Sequence, residues 1–433
     1  MFKCYKRWEL DFDSELKKYM IENYNFLGER IHYSENYTSG TYTTAMPVKS
    51  YKNCTYVNGY PHFTCDTDVL FSEIYNFIKH KKMYDNDIII RYGDTHPHKP
   101  LPKLAQLRSV AINETLSKMI LTSGKVESIY MLGDISIKAL ESIYESEKAH
   151  DIKRRILKGE ELNESEEALL SHMNESASEG IKRLLTGLGY TNPNVLCEST
   201  IYKEREIFAN VMKLNCDAAI NEEGEIKYLL QEMMFVFWAL RGNRKLISII
   251  GENQYDHVLK TNALMNNNNL DLESAYVTYG VCFDAESRDV EVWSKSIHEY
   301  ITKIKSRVGK VISINILLNL IYSCQNTSTQ VFFDKLSKYD RVIDMYFEIL
   351  KCMEICNKNK NEEITIESND LICEMGLVYF QLHYSIKVCE PSLFYRYLYG
   401  LAKKYNRNVE KYKGISALFL SFLEEAMGIM GLN

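Results

Sequence analysis

The chain lacks an uninterrupted apolar run of the roughly 18 residues that a membrane-spanning helix needs. Its nearest approach, "VISINILLNLIYSC" at 311–324, is shorter and reads as a buried helix. The opening, "MFKCYKRWELDFDSELKKYM", carries charge throughout, so the apolar centre of a secretory signal is missing. Metal-site spacing is missing too. Of 11 cysteines only Cys352 and Cys356 fall close together, and no His or Cys partner stands near them. An odd, scattered set of cysteines excludes a disulfide scaffold and points to reduced thiols in the cytoplasm. There is no excess of positive charge either: the net charge of −6 excludes a surface coated for nucleic acid. Local basic stretches remain, at 301–310 ("ITKIKSRVGK") and 397–414 ("YLYGLAKKYNRNVEKYKG"). No internal repeat or long low-complexity tract occurs.

What is present is the composition of a globular protein, 45% apolar and 25% charged over 433 residues, enough for two or three domains. Residues 1–86 alternate weakly between apolar and polar and predict a small mixed α/β domain, with a Tyr-, Thr- and Asn-rich middle. At 87–91 a short apolar strand begins. A Gly/Pro/His loop follows, and then a helical pattern carried by Leu104, Leu107, Val110 and Ala111. A second strand, "SIYMLGD" at 128–134, completes strand, loop, helix, strand, the opening of a doubly wound, Rossmann-like parallel sheet over 87–296. Residues 140–185 read as a charged helical insertion. Strand patterns return at "PNVLCES" and "KLISIIGENQ", and from 297 to 433 only amphipathic helical patterns remain, predicting an all-α bundle. Within it Arg396, Tyr399, Lys403, Asn406 and Arg407 fall at helical spacings of three and four. Cations interleaved with an aromatic suit an RNA loop, through phosphate contact and base stacking, although a charged helix face is often only solvated. Tyr395 and Tyr397 read as packing residues.

Several segments, taken in order, resemble arginyl-tRNA synthetase, a class I aminoacyl-tRNA synthetase. "HPHKPLPKLAQLRS" at 96–109 is similar to that family's "PNPNKPLHVGHLRS", and "YMLGDISIKAL" to "NYIGDWGTQ". "LCESTIYKEREIFANVMKLN" resembles its later strand-and-helix segment, and "EGEIKYLLQEMM" its "DGTxLYLTRDIA". "ISIIGENQYDHVLK" is similar to "IYVVGAEQxxHFxQ" with the same internal spacing, and "YVTYGVCF" to "HVSFGMV". "EPSLFYRYLYGLAKKYNRN" through the final "EEAMGIMGLN" resembles the C-terminal anticodon-binding domain. The resemblance covers about residues 88–433, and the first 85 or so correspond only by position, to a small domain that contacts tRNA.

The departures carry information. The family's "HVGH" sets two imidazoles and a glycine at a helix N-terminus, where they stabilise charge on the reacting phosphate and admit adenine. Here the stretch is one residue longer, alanine stands in place of the glycine and Gln106 in place of the second histidine. His96 and His98, just upstream beside Lys99, offer imidazoles from the loop or are loop residues without a role. The second ATP signature, "KMSxRKG", is missing after "YGVCF", and Lys295 in "WSKS" is its one displaced remnant. The resemblance implies an arginine pocket of Tyr228, Glu232, Gln254 and His257, with Asp134 facing it. A carboxylate such as Glu232 pairs well with a guanidinium, and on a helix it shares a face with Tyr228. The bland readings are a salt-bridged helix carboxylate for Glu232 and a helix cap for Asp134.

An arginine pocket and a tRNA-binding domain without an intact ATP site imply a transferase that consumes preformed arginyl-tRNA, without ATP or another cofactor. An arginine-containing cyclodipeptide synthase is one such activity. The partners would be arginine tRNA or arginyl-tRNA and a second amino acid, aminoacyl-tRNA or amine, not DNA or a membrane. Ser136, Tyr228 and His257 are the candidates for the attacking or proton-transferring group, although a serine at a helix start is commonly a cap. The alternatives are a non-catalytic tRNA-binding adaptor, and a divergent ligase using ATP and Mg with His96, His98 and Lys295.

Overall fold

The computed structural model describes residues 12–26, 30–34, 42–44, 47, 51–95, 104–133, 135–158, 160–190, 193–197, 200–201, 228–241, 244–251, 254, 260–261, 263, 274–279, 299–307, 309–310, 312–324, 339–362 and 369–433. Near the N-terminus, α1 (Glu15–Tyr24) starts where the Ser14 hydroxyl accepts the Lys17 N–H, and stops at Asn25 in the left-handed conformation. Four short strands follow, β1 (Ile31–Tyr33), β2 (Tyr42–Thr44), β3 (Thr55–Val57) and β4 (Tyr60–Phe63), in an antiparallel sheet of order β1-β2-β4-β3. The β3–β4 hairpin turns on Asn58 and Gly59, whose φ values of 51° and 82° suit the asparagine–glycine pair.

Helix α2 (Thr67–Ile78) ties this region to the rest of the molecule. Its Glu73 is fully buried and reaches the start of α1, accepting from the Ser14 hydroxyl and from the N–H groups of Glu15 (2.8 Å) and Leu16 (3.4 Å). Burial pushes the Glu73 carboxyl up to about 7, against the downward pull of those three donors. A carboxyl raised in the folded state contributes stability that is complete below the ordinary value of 4.5 and disappears as pH rises through 7. Between those limits the wild type should therefore lose up to about 3 kcal/mol relative to Glu73→Gln, which has no proton to lose. Urea unfolding of both proteins from pH 4 to 8 checks this, and a pH-independent difference would rule it out.

The central sheet is parallel throughout. It comprises β5 (Ile88–Thr95), β6 (Val126–Leu132), β7 (Asn194–Cys197), β8 (Lys245–Gly251) and β9 (Ser274–Tyr279), in the order β7-β6-β5-β8-β9. Parallel strands covered on both faces read as continuous apolar runs, which is how "DIIIRY" and "KLISIIG" were recognisable. Helix α3 (Leu104–Met119) returns from β5 to β6 and packs on the sheet. On β5 the side chains alternate: Ile88, Ile90 and Tyr92 join the main core with Leu107 and Val110 of α3. Ile89 and Arg91 point the other way, to the face covered by α7 (Tyr228–Ala239).

Between β6 and β7 lies the insertion expected at 140–185, here α4 (Ile137–Glu141), α5 (Ser146–Lys158) and α6 (Glu164–Gly187). It has an apolar cluster of its own, centred on Leu140, Ala149 and Ile152. Its charged residues pair with one another: Arg155 bridges Asp151 (2.9 Å) and the buried Glu166 (2.7 Å), which also closes a capping box with Asn163.

Beyond residue 299 the described residues hold only helices, chiefly α8 (Ile314–Tyr322), α9 (Asp340–Asn359), α10 (Asn369–Met375), α11 (Val378–Lys387), α12 (Pro391–Arg407), α13 (Val409–Tyr412) and α14 (Ser416–Ile429). None of the described helices is long and apolar enough to cross a membrane. Cys352 and Cys356, one turn apart on α9, are buried free thiols. Aromatic contacts join the bundle to the N-terminal elements: Phe77 of α2 meets Tyr379, Phe394 and Phe422, and the Tyr42 hydroxyl donates to the Cys373 carbonyl at 2.8 Å. The apolar residues of the N-terminal elements, of one face of the sheet and of the bundle thus form one continuous core.

Candidate functional site

Gly93 lies near the end of β5. Its φ of +89° belongs to the left-handed region, and a Cβ there would lie 2.8 Å from the Tyr130 ring. The register between β5 and β6 shifts after it, and its N–H donates to the Ser109 hydroxyl of α3 at 3.1 Å. Arg108 and Ser109, the end of "QLRS", are both buried. Gln106 sits in the first turn of α3. His96, His98 and Lys99 lie outside the described residues, as do Asp134, His257 and Lys295.

On the opposite face of the sheet, Glu232 of α7 is 5% exposed. Its Oε2 accepts from Nη1 of Arg91, which is itself 6% exposed in the middle of β5. The same guanidinium lies 4.6 Å from the centroid of the Phe235 ring, one turn further along α7. Ser248 of β8 is in register with Arg91, so its hydroxyl stands on this face of the sheet as well. Neither Ser248 Oγ nor Glu232 Oε1 has a hydrogen-bond partner among the described residues. The carboxylate expected to receive a substrate guanidinium is therefore held by a guanidinium of the chain itself. That is the salt-bridged form of the bland reading, with Arg91 as the partner. The signal was available: one arginine interrupts the otherwise apolar "DIIIRY".

Of the other predicted residues, Tyr228 opens α7 one turn before Glu232, and Gln254 is half-buried just beyond β8. Ser136 caps α4, its hydroxyl accepting the Ala139 N–H at 3.3 Å. It is thus used as a cap, the commoner role of a serine at a helix start.

The helical bundle arranges its cations unevenly. On α12, Arg396 and Arg407 are exposed and Tyr399 and Lys403 half-buried, and their spacing of three, four and four places them along one face. The Lys403 ammonium lies 5.3 Å from the Tyr399 ring centroid. Asn406 departs from the expectation of an RNA contact: it turns toward α9, donating to the Glu348 carbonyl at 3.1 Å and to its carboxylate at 3.0 Å. Lys404, next to Lys403 in sequence, also turns inward, pairing with Asp370 (3.0 Å) and Glu374 (2.6 Å). Burial works to raise the Asp370 carboxyl, but hydrogen bonds from Tyr412, Lys411 and Lys404 hold it down at about 2. Tyr395 and Tyr397 pack between helices, their hydroxyls donating to the carbonyls of Val342 (2.9 Å) and Glu374 (2.8 Å).

No protein-family model matches the sequence, and no curated protein matches it in sequence. Solved structures do match. The arginyl-tRNA synthetase of Plasmodium falciparum superimposes with a TM-score of 0.64 at 12% identity, over 97% of this chain and 97% of its own. That of Thermus thermophilus gives 0.61 at 12% identity, over 93% of this chain and 95% of its own. The fold is that of the arginyl-tRNA synthetases. The likeness runs nearly end to end in both chains, so the synthetase-like layout takes in the antiparallel sheet, the parallel sheet and the helical bundle together. At such identity it carries the arrangement of elements and not the chemistry of side chains, which rests on the residues described above.

Proposed function

We propose that this chain is a tRNA-binding protein on an arginyl-tRNA synthetase frame, one that engages RNA through its helical domain. The observation that carries the reading is the α12 face, where Arg396, Lys403 and Arg407 stay accessible around Tyr399 while neighbouring Lys404 is drawn into ion pairs. Exposed cations supply phosphate contacts and an aromatic among them supplies a stacking surface for unpaired bases. The three-part division at 1–86, 87–296 and 297–433 belongs to the same reading, with the last part the anticodon-binding-like unit. Pairing of Glu232 with Arg91 argues against selection of free arginine through that carboxylate. Binding without turnover is accordingly the reading that the geometry favours.

A second reading, a transferase using arginyl-tRNA, is supported by the sequence of the segment that joins β5 to α3. It keeps the "LRS" frame while alanine and Gln106 replace the glycine and imidazole of the ATP signature. Three incubations separate these readings and the divergent ligase. With arginine tRNA, the adaptor reading expects saturable binding. With preformed labelled arginyl-tRNA it expects the ester to stay intact, whereas release of label into a small product supports transfer. With tRNA, arginine and ATP it expects no charging, and charging would establish the ligase.

A further inference from the structure

Guanidinium recognition needs a carboxylate, a flat apolar surface for the cation's face and shelter from water. The structure brings these together at one point, where Glu232 and Phe235 of α7 meet the sheet, and the group they surround is the side chain of Arg91. Only one oxygen of Glu232 is engaged by Arg91, and Oε1 and the Ser248 hydroxyl retain unused acceptor capacity among the described residues. A hydrophobic pair would fill this layer at less desolvation cost, so a buried ion pair is no device for stability alone.

We propose that this cluster is a guanidinium site filled from within: Arg91 occupies the receptacle of Glu232 and Phe235, and so excludes any external guanidinium side chain from it. The occupant reaches in from β5 while the receptacle is carried by α7, so the two are separable by mutation. The proposal goes beyond RNA binding, since it concerns the core and is read without tRNA.

The test removes the occupant and supplies another. In Arg91→Ala the Glu232 carboxylate is stranded, and the thermal midpoint should fall by roughly 5 °C. Methylguanidinium at about 10 mM should then recover half or more of that loss, because a ligand that binds only the native state stabilises it by mass action. The same concentration of sodium chloride should not, and methylguanidinium should leave the wild type unmoved. Recovery should also vanish in Arg91→Ala/Glu232→Gln, which keeps the cavity and discards the charge. Equal responses of the single and double variants, or none in either, would overturn the proposal. If Arg91→Ala does not fold, the double variant decides: it should fold, because neither charge of the Arg91–Glu232 pair is left without the other. Its failure would show that Arg91 acts by volume and not as the occupant of a carboxylate site.

Discussion

Glu232→Ala is expected to lose about 3–5 kcal/mol of stability, because it leaves the Arg91 guanidinium buried with no counter-charge from α7. Both partners are at least nine-tenths buried, so solvent screens the pair weakly and the loss is much larger than for the exposed ion pairs of α5. The double variant Arg91→Met/Glu232→Leu, apolar and of similar size, is expected to be as stable as the wild type or more so. A double-mutant cycle completed with Arg91→Met and Glu232→Leu should show strong coupling between the two sites, and urea unfolding measures it. Additive effects would show that the two charges do not depend on each other. The result also bears on function. Any activity lost in Glu232→Ala is interpretable as a substrate contact only if the stability of the core is shown to survive.

The second large effect is expected on RNA affinity. Reversing Arg396, Lys403 and Arg407 together to glutamate should weaken tRNA binding roughly 100-fold or more at about 100 mM salt, since each lost phosphate contact removes both attraction and released counterions. The slope of log affinity against log salt should shallow by about 2–3, one for each contact removed. Thermal stability should change little, because the three charges stand on the outer face of α12 and none appears in the ion pairs that tie it to α10. Asn406→Ala is the matched opposite. It removes the bridge to Glu348, so stability should fall by about 1 kcal/mol while RNA affinity holds. If the triple reversal leaves affinity and salt slope intact, the RNA contact lies elsewhere on the molecule.

Much of the architecture was readable along the chain. Parallel strands covered on both faces show as the apolar runs of β5 and β8, and the bundle shows as apolar residues at three- and four-residue spacing from 340 onward. Short-range chemistry is local in the same way: Ser14 and Asn163 cap helices because their neighbours a turn away supply the N–H groups. Period alone could not settle which side of α12 each polar residue would present. Asn406 lies on the flank of the basic face, and whether it meets solvent or α9 depends on a helix more than 40 residues earlier, since its partner is Glu348 at a sequence separation of 58.

The core site shows the same division more sharply. Sequence by itself determined that a carboxylate stands four residues after Tyr228, on one face with it if the segment is helical. Only tertiary structure decided what that carboxylate holds, because Arg91 and Glu232 are 141 residues apart and meet through the packing of α7 on β5. Pairing between distant charges follows from which strand face a helix covers. That is set by the burial of all the surrounding apolar residues at once, and no local pattern at either residue encodes it.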